Sequence, residues 1–525
     1  MNKIEIKEPI EYIRKLKKYI GKNEILAVIT TIIVGMLTNF NFIITEALQP
    51  DALSIVNWNI ASEWEISLGR YGIKYINLLR FGLVNKFLIV FISLCFITIS
   101  MIFIIKTFKI KNKLLIVLLS AIIAAAPQVA ETFFFIYCAD VYCLAFCLAT
   151  AVGYLLDKYF ESKKVVALIG AMLLTACVCS FYQAYLGVVL GITVTLLVRY
   201  LIENVKLKEV VLTAVKFIVT IFVGVLVYYI ILKIVLLINN IEMASYKGAN
   251  SLGITTIMSL SKTILQSYKD CFEFFFGNTI IYNSFWRRRK IYGLIAILSI
   301  ICVAWKFIKE KYEMKPIRII CLIVLLLVFP IGINIMDIIA PDTSINLVTG
   351  PGIITLFILA IVIENYRENT SISNLMKWGQ SIFLVIIIWT FVLSNTYTAM
   401  AREETYRNYY TISNDIYNKV TQLSGYSKDK NWMFSYYIEY RPSNLDRTNG
   451  FVTLNYETWN NYNGTRQNIS FYKRYLGIDI SICSKQDYDK IVASEEFKKM
   501  PVYPSDGSIK IINDIIVIKV SDNTF

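Results

Sequence analysis

The sequence predicts a polytopic α-helical membrane protein of about eleven transmembrane helices, with a small α/β segment at its C-terminal end. Three observations carry this. Of 525 residues, 56% are hydrophobic and only 17% are charged, whereas a soluble domain averages about 25% charged residues. Apolar stretches of about 20 residues, enough for one crossing each, recur as far as residue 397. Beyond that point the chain turns polar.

The expected spans lie near 24–45, 87–105, 114–133, 138–156, 165–182, 184–202, 210–238, 291–308, 319–340, 350–366 and 379–397. The fifth and sixth are almost contiguous, which requires a tight turn or a re-entrant bend. Residues 1–23 carry seven basic side chains, Lys3, Lys7, Arg14, Lys15, Lys17, Lys18 and Lys22, and this holds them in the cytoplasm. No small-residue cleavage site follows, so the first span reads as an anchor. Alternation then places the loops with Lys106, Lys109, Lys111 and Lys113, and with Lys309, Lys311, Lys315 and Arg318, on the same inner side. The turns at 134–137 and 182–184 lack Lys and Arg and fall outside.

Three domains follow: a basic cytoplasmic N-terminus at 1–23, a transmembrane domain at 24–397 with outer loops 46–86 and 239–290, and an extracytoplasmic α/β domain at 398–525. In the last, 401–424 reads as a helix ended by Gly425, 431–440 as a strand and 485–499 as a second helix. Residues 510–512 and 515–520 read as a hairpin around Asn513-Asp514. No internal repeat is evident.

With 53 basic and 38 acidic residues the formal charge is +15. The basic residues sit in short loops between spans, which calls for membrane lipids as partners and not for nucleic acid. There is no histidine. That excludes Ser-His-Asp and Cys-His nucleophiles and HExxH zinc sites. Nothing in the sequence requires a cofactor, although clustered acids are compatible with a divalent metal. Most of the ten cysteines lie in or beside apolar stretches as packing residues; Cys271 and Cys483 lie outside them and leave room for one bridge.

The first outer loop is acid-rich, with Glu46, Asp51, Glu63 and Glu65 ahead of Gly69-Arg70. A carboxylate at the membrane surface can act as general base toward a hydroxyl, and arginine can hold a phosphate bidentately. A merely solvated loop has the same composition. Residues 71–81 have helical apolar spacing, as an interfacial helix would. Glu131 and Asp140 stand beside apolar sequence, where an acid faces a wet cavity or an ion-pair partner. Ser180-Phe181-Tyr182-Gln183 offers rings and an amide suited to a sugar, or an ordinary aromatic belt. Arg287, Arg288 and Arg289 with Lys290 put four cations at the outer end of a span, suited to a lipid phosphate or to anionic headgroups. The tail segment 456–464 mixes aromatic and amide groups, as glycan-binding surfaces and exposed loops both do.

First-loop acids followed by Gly69-Arg70, then Tyr137-Cys138-Ala139-Asp140, then Ser180-Phe181-Tyr182-Gln183 in this order resemble the GtrII-type glucosyltransferase family. The resemblance spans roughly residues 20–400. It implies a bacterial GT-C-like glycosyltransferase of the plasma membrane. Such an enzyme moves a hexose from a polyprenyl-phosphate-sugar donor to a surface glycan acceptor on the outer face. It also implies a first-loop acid as catalytic base. Such loops often carry adjacent acids, whereas Ala52 follows Asp51 here, which leaves Asp51, Glu46, Glu63 and Glu65 competing for that role, with Asp51 favoured. Asp140 joins the catalytic set, Arg70 and Arg287–Arg289 face the donor phosphate, and Glu131, Tyr182 and Gln183 contact substrate. A lipid-linked glycan polymerase and a flippase or transporter are the alternatives.

Overall fold

The computed structural model describes residues 20–48, 50–53, 63–245, 254–277, 286–309, 314–341, 348–366, 371–436 and 469–524. Helix α1 (Lys22–Ile44) is followed by a loop holding three short helices, α2 (Pro50–Leu53), α3 (Glu63–Ser67) and α4 (Gly72–Leu79). Next come α5 (Lys86–Phe108), α6 (Lys113–Ala125), α7 (Pro127–Phe134), α8 (Ala139–Ser162), α9 (Val165–Phe181), α10 (Leu186–Ile202) and α11 (Leu207–Asn239). The second half holds α12 (Ile254–Phe276), α13 (Trp286–Lys309), α14 (Lys315–Ile333), α15 (Met336–Ile339), α16 (Thr355–Asn365) and α17 (Ser371–Thr421).

The punctuation follows from local chemistry. Asn85 and Asn112 cap α5 and α6 by accepting from the Leu88 and the Leu114 and Leu115 backbone N–H groups, which satisfies donors no helix can pair internally. Ala126-Pro127 breaks the third span, because proline offers no N–H and serves best at a first helical position. The bend expected after residue 181 is a tight turn: Tyr182 is extended and Gln183–Tyr185 form a single 3-10 turn before α10 begins.

Among the described residues, eight helical segments are long and apolar enough to cross a membrane. The expected count of about eleven is not reached on that criterion. The other three expected spans fall on shorter apolar helices, Val165–Phe181, Lys290–Trp305 and Pro351–Asn365. Two of these, Val165–Phe181 and Pro351–Asn365, fall short of a hydrocarbon core of about 30 Å at about 1.5 Å per residue, whereas α13 as a whole is long enough to span it. Helix α10 is the centre, almost wholly buried and packed on α8, α14 and α16. Helix α11 is the opposite case, with Leu212, Ile218, Val219, Phe222 and Ile230 exposed. A helix that is apolar all round and still exposed is facing lipid.

Helix α17 runs unbroken through residue 397, where the sequence places the end of the last span, and on to Thr421. The polar residues that follow keep an apolar stripe, with Tyr409, Ile416 and Val420 buried, so the helix has no reason to stop. The strand expected at 431–440 is β1 (Trp432–Phe434), and 437–440 lie outside the described residues, as does 456–464. The helix expected at 485–499 is split at Ser494 into α18 (Lys485–Ala493) and α19 (Glu495–Lys499), Ser494 capping the second. Strands β2 (Ile509–Ile512) and β3 (Ile515–Ile518) form the expected hairpin, with positive φ at both Asn513 and Asp514, as a two-residue primed turn demands. Strand β1 joins β3 in parallel. Cys271 and Cys483 are free thiols, so no bridge links them.

Candidate functional site

The motif that follows α3 is built by backbone geometry. Gly69 N–H donates to the Ile66 carbonyl at 2.9 Å and Arg70 N–H to the Glu65 carbonyl at 2.8 Å. This is the bond pattern of a Schellman cap, with Gly69 at φ +79 in the left-handed position that glycine tolerates best. A Cβ on Gly69 would also collide with the Tyr228 hydroxyl and the Gln183 amide. Those two side chains clamp the turn: Gln183 Nε2 donates to the Leu68 carbonyl and to Tyr228 Oη, both at 2.8 Å, and Tyr228 Oη donates to the Gly69 carbonyl at 3.0 Å. Gly72, three residues on, lies flush against Ser180 and Phe181. The two short motifs, 110 positions apart in the chain, are therefore one packed unit.

The Arg70 side chain emerges from this unit with its guanidinium 4.3 Å from the centre of the Tyr182 ring. Tyr182 in turn stacks on Tyr142, ring centres 4.7 Å apart. Arg70 Nε is buried without a hydrogen-bond partner, and no ion pair to Arg70 forms among the described residues. Its electrostatic neighbours are Tyr142, Tyr182, Tyr137 and Cys138. A guanidinium held by rings and lacking an acid keeps its donors for an anion. Beside it Tyr71 stacks on Tyr228 at 5.9 Å, and burial pushes the Tyr71 phenol up, which keeps it a neutral hydroxyl.

The acids divide by environment. Glu65 is on α3 within the same cap as Arg70, and Cys138 feels Arg70, Asp140 and Glu65 together. Glu63 is exposed on the same short helix. Glu46 is exposed too, and its backbone is tied to the tail by Glu403 and by the Tyr475 hydroxyl at 2.9 Å. Asp51 belongs to α2, but its side chain lies outside the described residues, as do those of Arg287, Arg288 and Arg289 at the start of α13. Asp140 is buried in an ion pair with Arg80 at 3.1 Å. Arg80 also donates to the carbonyls of Tyr137 and Leu83, and Asn77 donates to Tyr137 at 3.1 Å, so α4 is latched onto the start of α8. Helix α4 leaves Tyr75, Leu78 and Leu79 exposed, which fits a helix lying at a membrane interface. Glu131 pairs with Arg402 at 3.4 Å, and Arg402 lies over the Phe134 ring at 3.4 Å.

The structure thus gathers Glu65, Arg70, Asp140, Tyr182 and Gln183 at one end of the bundle. Tyr142 and Tyr228 belong to the same group and are missing from the sequence reading. For Tyr228 the signal is a hydroxyl well inside an apolar span, which needs a partner there.

A family model described as glucosyl transferase GtrII matches residues 40–357, more than half of the chain and inclusive of every residue just gathered. No curated protein and no solved structure matches. A mostly helical membrane chain with this match belongs to the GtrII glucosyl transferase family.

Proposed function

We propose that this glycosyltransferase moves glucose or a similar hexose from a polyprenyl-phosphate-sugar to a surface polysaccharide at the outer face of the bacterial plasma membrane. The observation that supports this most is Arg70: a cation stacked on Tyr182, without an acid partner among the described residues, beside a membrane-interface helix. A lipid phosphate in the headgroup layer would meet that guanidinium, while the hexose would lie against Tyr142 and Tyr182, whose π-faces suit sugar C–H groups.

In the reaction the acceptor hydroxyl attacks the anomeric carbon as its proton passes to a first-loop carboxylate. The bond between that carbon and the phosphate oxygen breaks, its electron pair stays on the phosphate, and Arg70 stabilises the charge that develops there. Asp51, Glu63 and Glu65 are the acids for the base role; Glu65 shares its cap with Arg70. Asp140, engaged by Arg80, fixes the wall of the site between α4 and α8. No step in this scheme calls on a cofactor.

The test is transfer of label from a synthetic polyprenyl-phosphate-glucose to a glycan acceptor by the purified protein in proteoliposomes. The reading requires label in the acceptor, a loss of about 100-fold or more in Arg70→Ala, and a comparable loss in one of Asp51→Asn, Glu63→Gln or Glu65→Gln. Incorporation only from a lipid-pyrophosphate oligosaccharide would make the protein a polymerase. Lipid translocation without bond formation would make it a flippase.

A further inference from the structure

A second polar cluster stands where α12 meets the α14–α15 corner, and none of the residues used above belongs to it. Helix α14 contains Pro330 and gives out at Asn334, and Asp337 follows on the single turn α15, its N–H donating to the Asn334 carbonyl at 3.0 Å. Asn334 and Asp337 are 1% and 2% exposed. Facing them from α12 are Ser267 and, one turn along the same helix face, Asp270.

The hydrogen bonds of this cluster leave a consistent remainder. Ser267 Oγ donates to Asp337 Oδ2 at 2.9 Å, and Asn334 Nδ2 donates to the Ser267 carbonyl at 2.8 Å. Gln266 Nε2 donates to Asp270 Oδ1 at 2.8 Å. Asp337 Oδ1, Asp270 Oδ2 and Asn334 Oδ1 are each buried with no donor among the described residues. The neighbouring cation, Lys269, pairs with Glu273 at 3.9 Å. The charge of Asp270 acts on Asp337, and no basic side chain forms an ion pair with either among the described residues, so holding both ionised is costly unless something compensates them.

We propose that Asp270, Asn334 and Asp337 form a binding site for a hard divalent cation of the Mg2+ or Mn2+ type. The donors are all oxygens, two carboxylates and an amide with the Ser267 hydroxyl beside them, which is the set such ions take and softer metals do not. Two negative charges balance one divalent ion. Asn334 is the independent witness: an amide carries no charge of its own, yet its oxygen is buried and unused at the same corner. The ion would join α12 to the end of α14, at the place where Ser267 and Asn334 already bridge them. This assignment does not rest on the sugar-transfer reading, because binding is read without substrate.

The experiment uses the full-length protein in detergent, stripped with EDTA and titrated with Mn2+ by electron paramagnetic resonance of the free ion. One Mn2+ per chain, displaced by Mg2+, with a melting temperature that rises with Mn2+, is the expected result. Asp337→Asn and Asp270→Asn are near-isosteric and each removes a buried charge. Each is expected to weaken Mn2+ binding at least tenfold while melting, without metal, no lower than the parent. Absence of Mg2+-displaceable Mn2+ binding in the parent overturns the proposal. So does parental binding in either folded variant; Asp270, on the more open side of the cluster, provides the second variant if Asp337→Asn does not fold.

Discussion

The two ends of the helix bundle treat a buried arginine in opposite ways. At one end Arg199 and Arg318 are fully buried and their guanidinium groups are well supplied with acceptors. Arg199 reaches both Asp157 oxygens, at 3.0 and 3.3 Å, as well as Glu203 and the Thr107 carbonyl, and Tyr200 donates to the same Asp157 at 2.8 Å. Arg318 donates to the carbonyls of Leu201 and Val205, both at 2.8 Å. At the other end Arg70 rests on a tyrosine ring, with no acid or carbonyl acceptor among the described residues. Saturation is what a structural arginine requires, since an unpaired buried charge strongly destabilises the fold. An arginine left unsaturated, yet fixed in place by a glycine cap and two clamping side chains, has its donors reserved for a ligand.

Four substitutions break or sharpen that contrast. The largest effect on folding belongs to Arg199→Ala, which strands Asp157 in the bundle and costs about 3–5 kcal/mol, read as a large drop in melting temperature; the folded fraction keeps its transfer rate. Replacing Arg199 and Asp157 together by leucines recovers most of the loss, since a buried pair is worth little more than apolar packing. Arg70→Ala inverts the pattern: transfer falls about 10²–10³-fold, while stability falls by no more than the stacking on Tyr182 supplies, about 0.5–2 kcal/mol. Gly69→Ala acts on both readouts, because a side chain in the left-handed region costs about 1–3 kcal/mol and its Cβ displaces Tyr228 and Gln183 from the turn that aims Arg70. Tyr228→Phe is the mildest. It removes the hydrogen bond to the Gly69 carbonyl and the one accepted from Gln183, about 0.5–1.5 kcal/mol each, and shows as a modest rise in KM for the lipid donor with kcat retained. Equal stability losses for Arg70→Ala and Arg199→Ala would erase the distinction between the two ends.

How far the sequence led depends on the range of the interaction. Spans are written in local composition, so all eleven apolar stretches coincide with helices even though two of those helices are too short to cross by themselves. The turn at Tyr182 and the Asn513-Asp514 hairpin are local too, and both appear where expected. The pairing of Gly69-Arg70 with Tyr182-Gln183 was legible only as order along the chain; the clamp through Tyr228 was not, because it depends on where α11 packs. The partners of Asp140 and Glu131, Arg80 and Arg402, lie far away in sequence, and no periodicity links them. The same applies to the Asp270–Asp337 corner, which joins two segments 67 residues apart by way of α12 and α14. The span expected to end near 397 and the helix expected at 401–424 are one continuous helix, because hydropathy marks where the apolar run ends and says nothing about where a helix ends.

That last feature sets a rotational phase. Helix α17 pairs with the bundle through Arg402, holds the backbone of Glu46 and Ala47 through Glu403, and receives the tail through Ser413 and Asp415. All four positions lie on one uninterrupted helix, and each residue added between them would rotate the tail by about 100° and lift it about 1.5 Å. A single inserted residue after Glu403 would therefore swing Tyr475 away from Glu46, whereas a whole extra turn would nearly restore its bearing while lifting it about 5 Å. The tail and the first loop are kept in register the way two gears are kept on a common shaft.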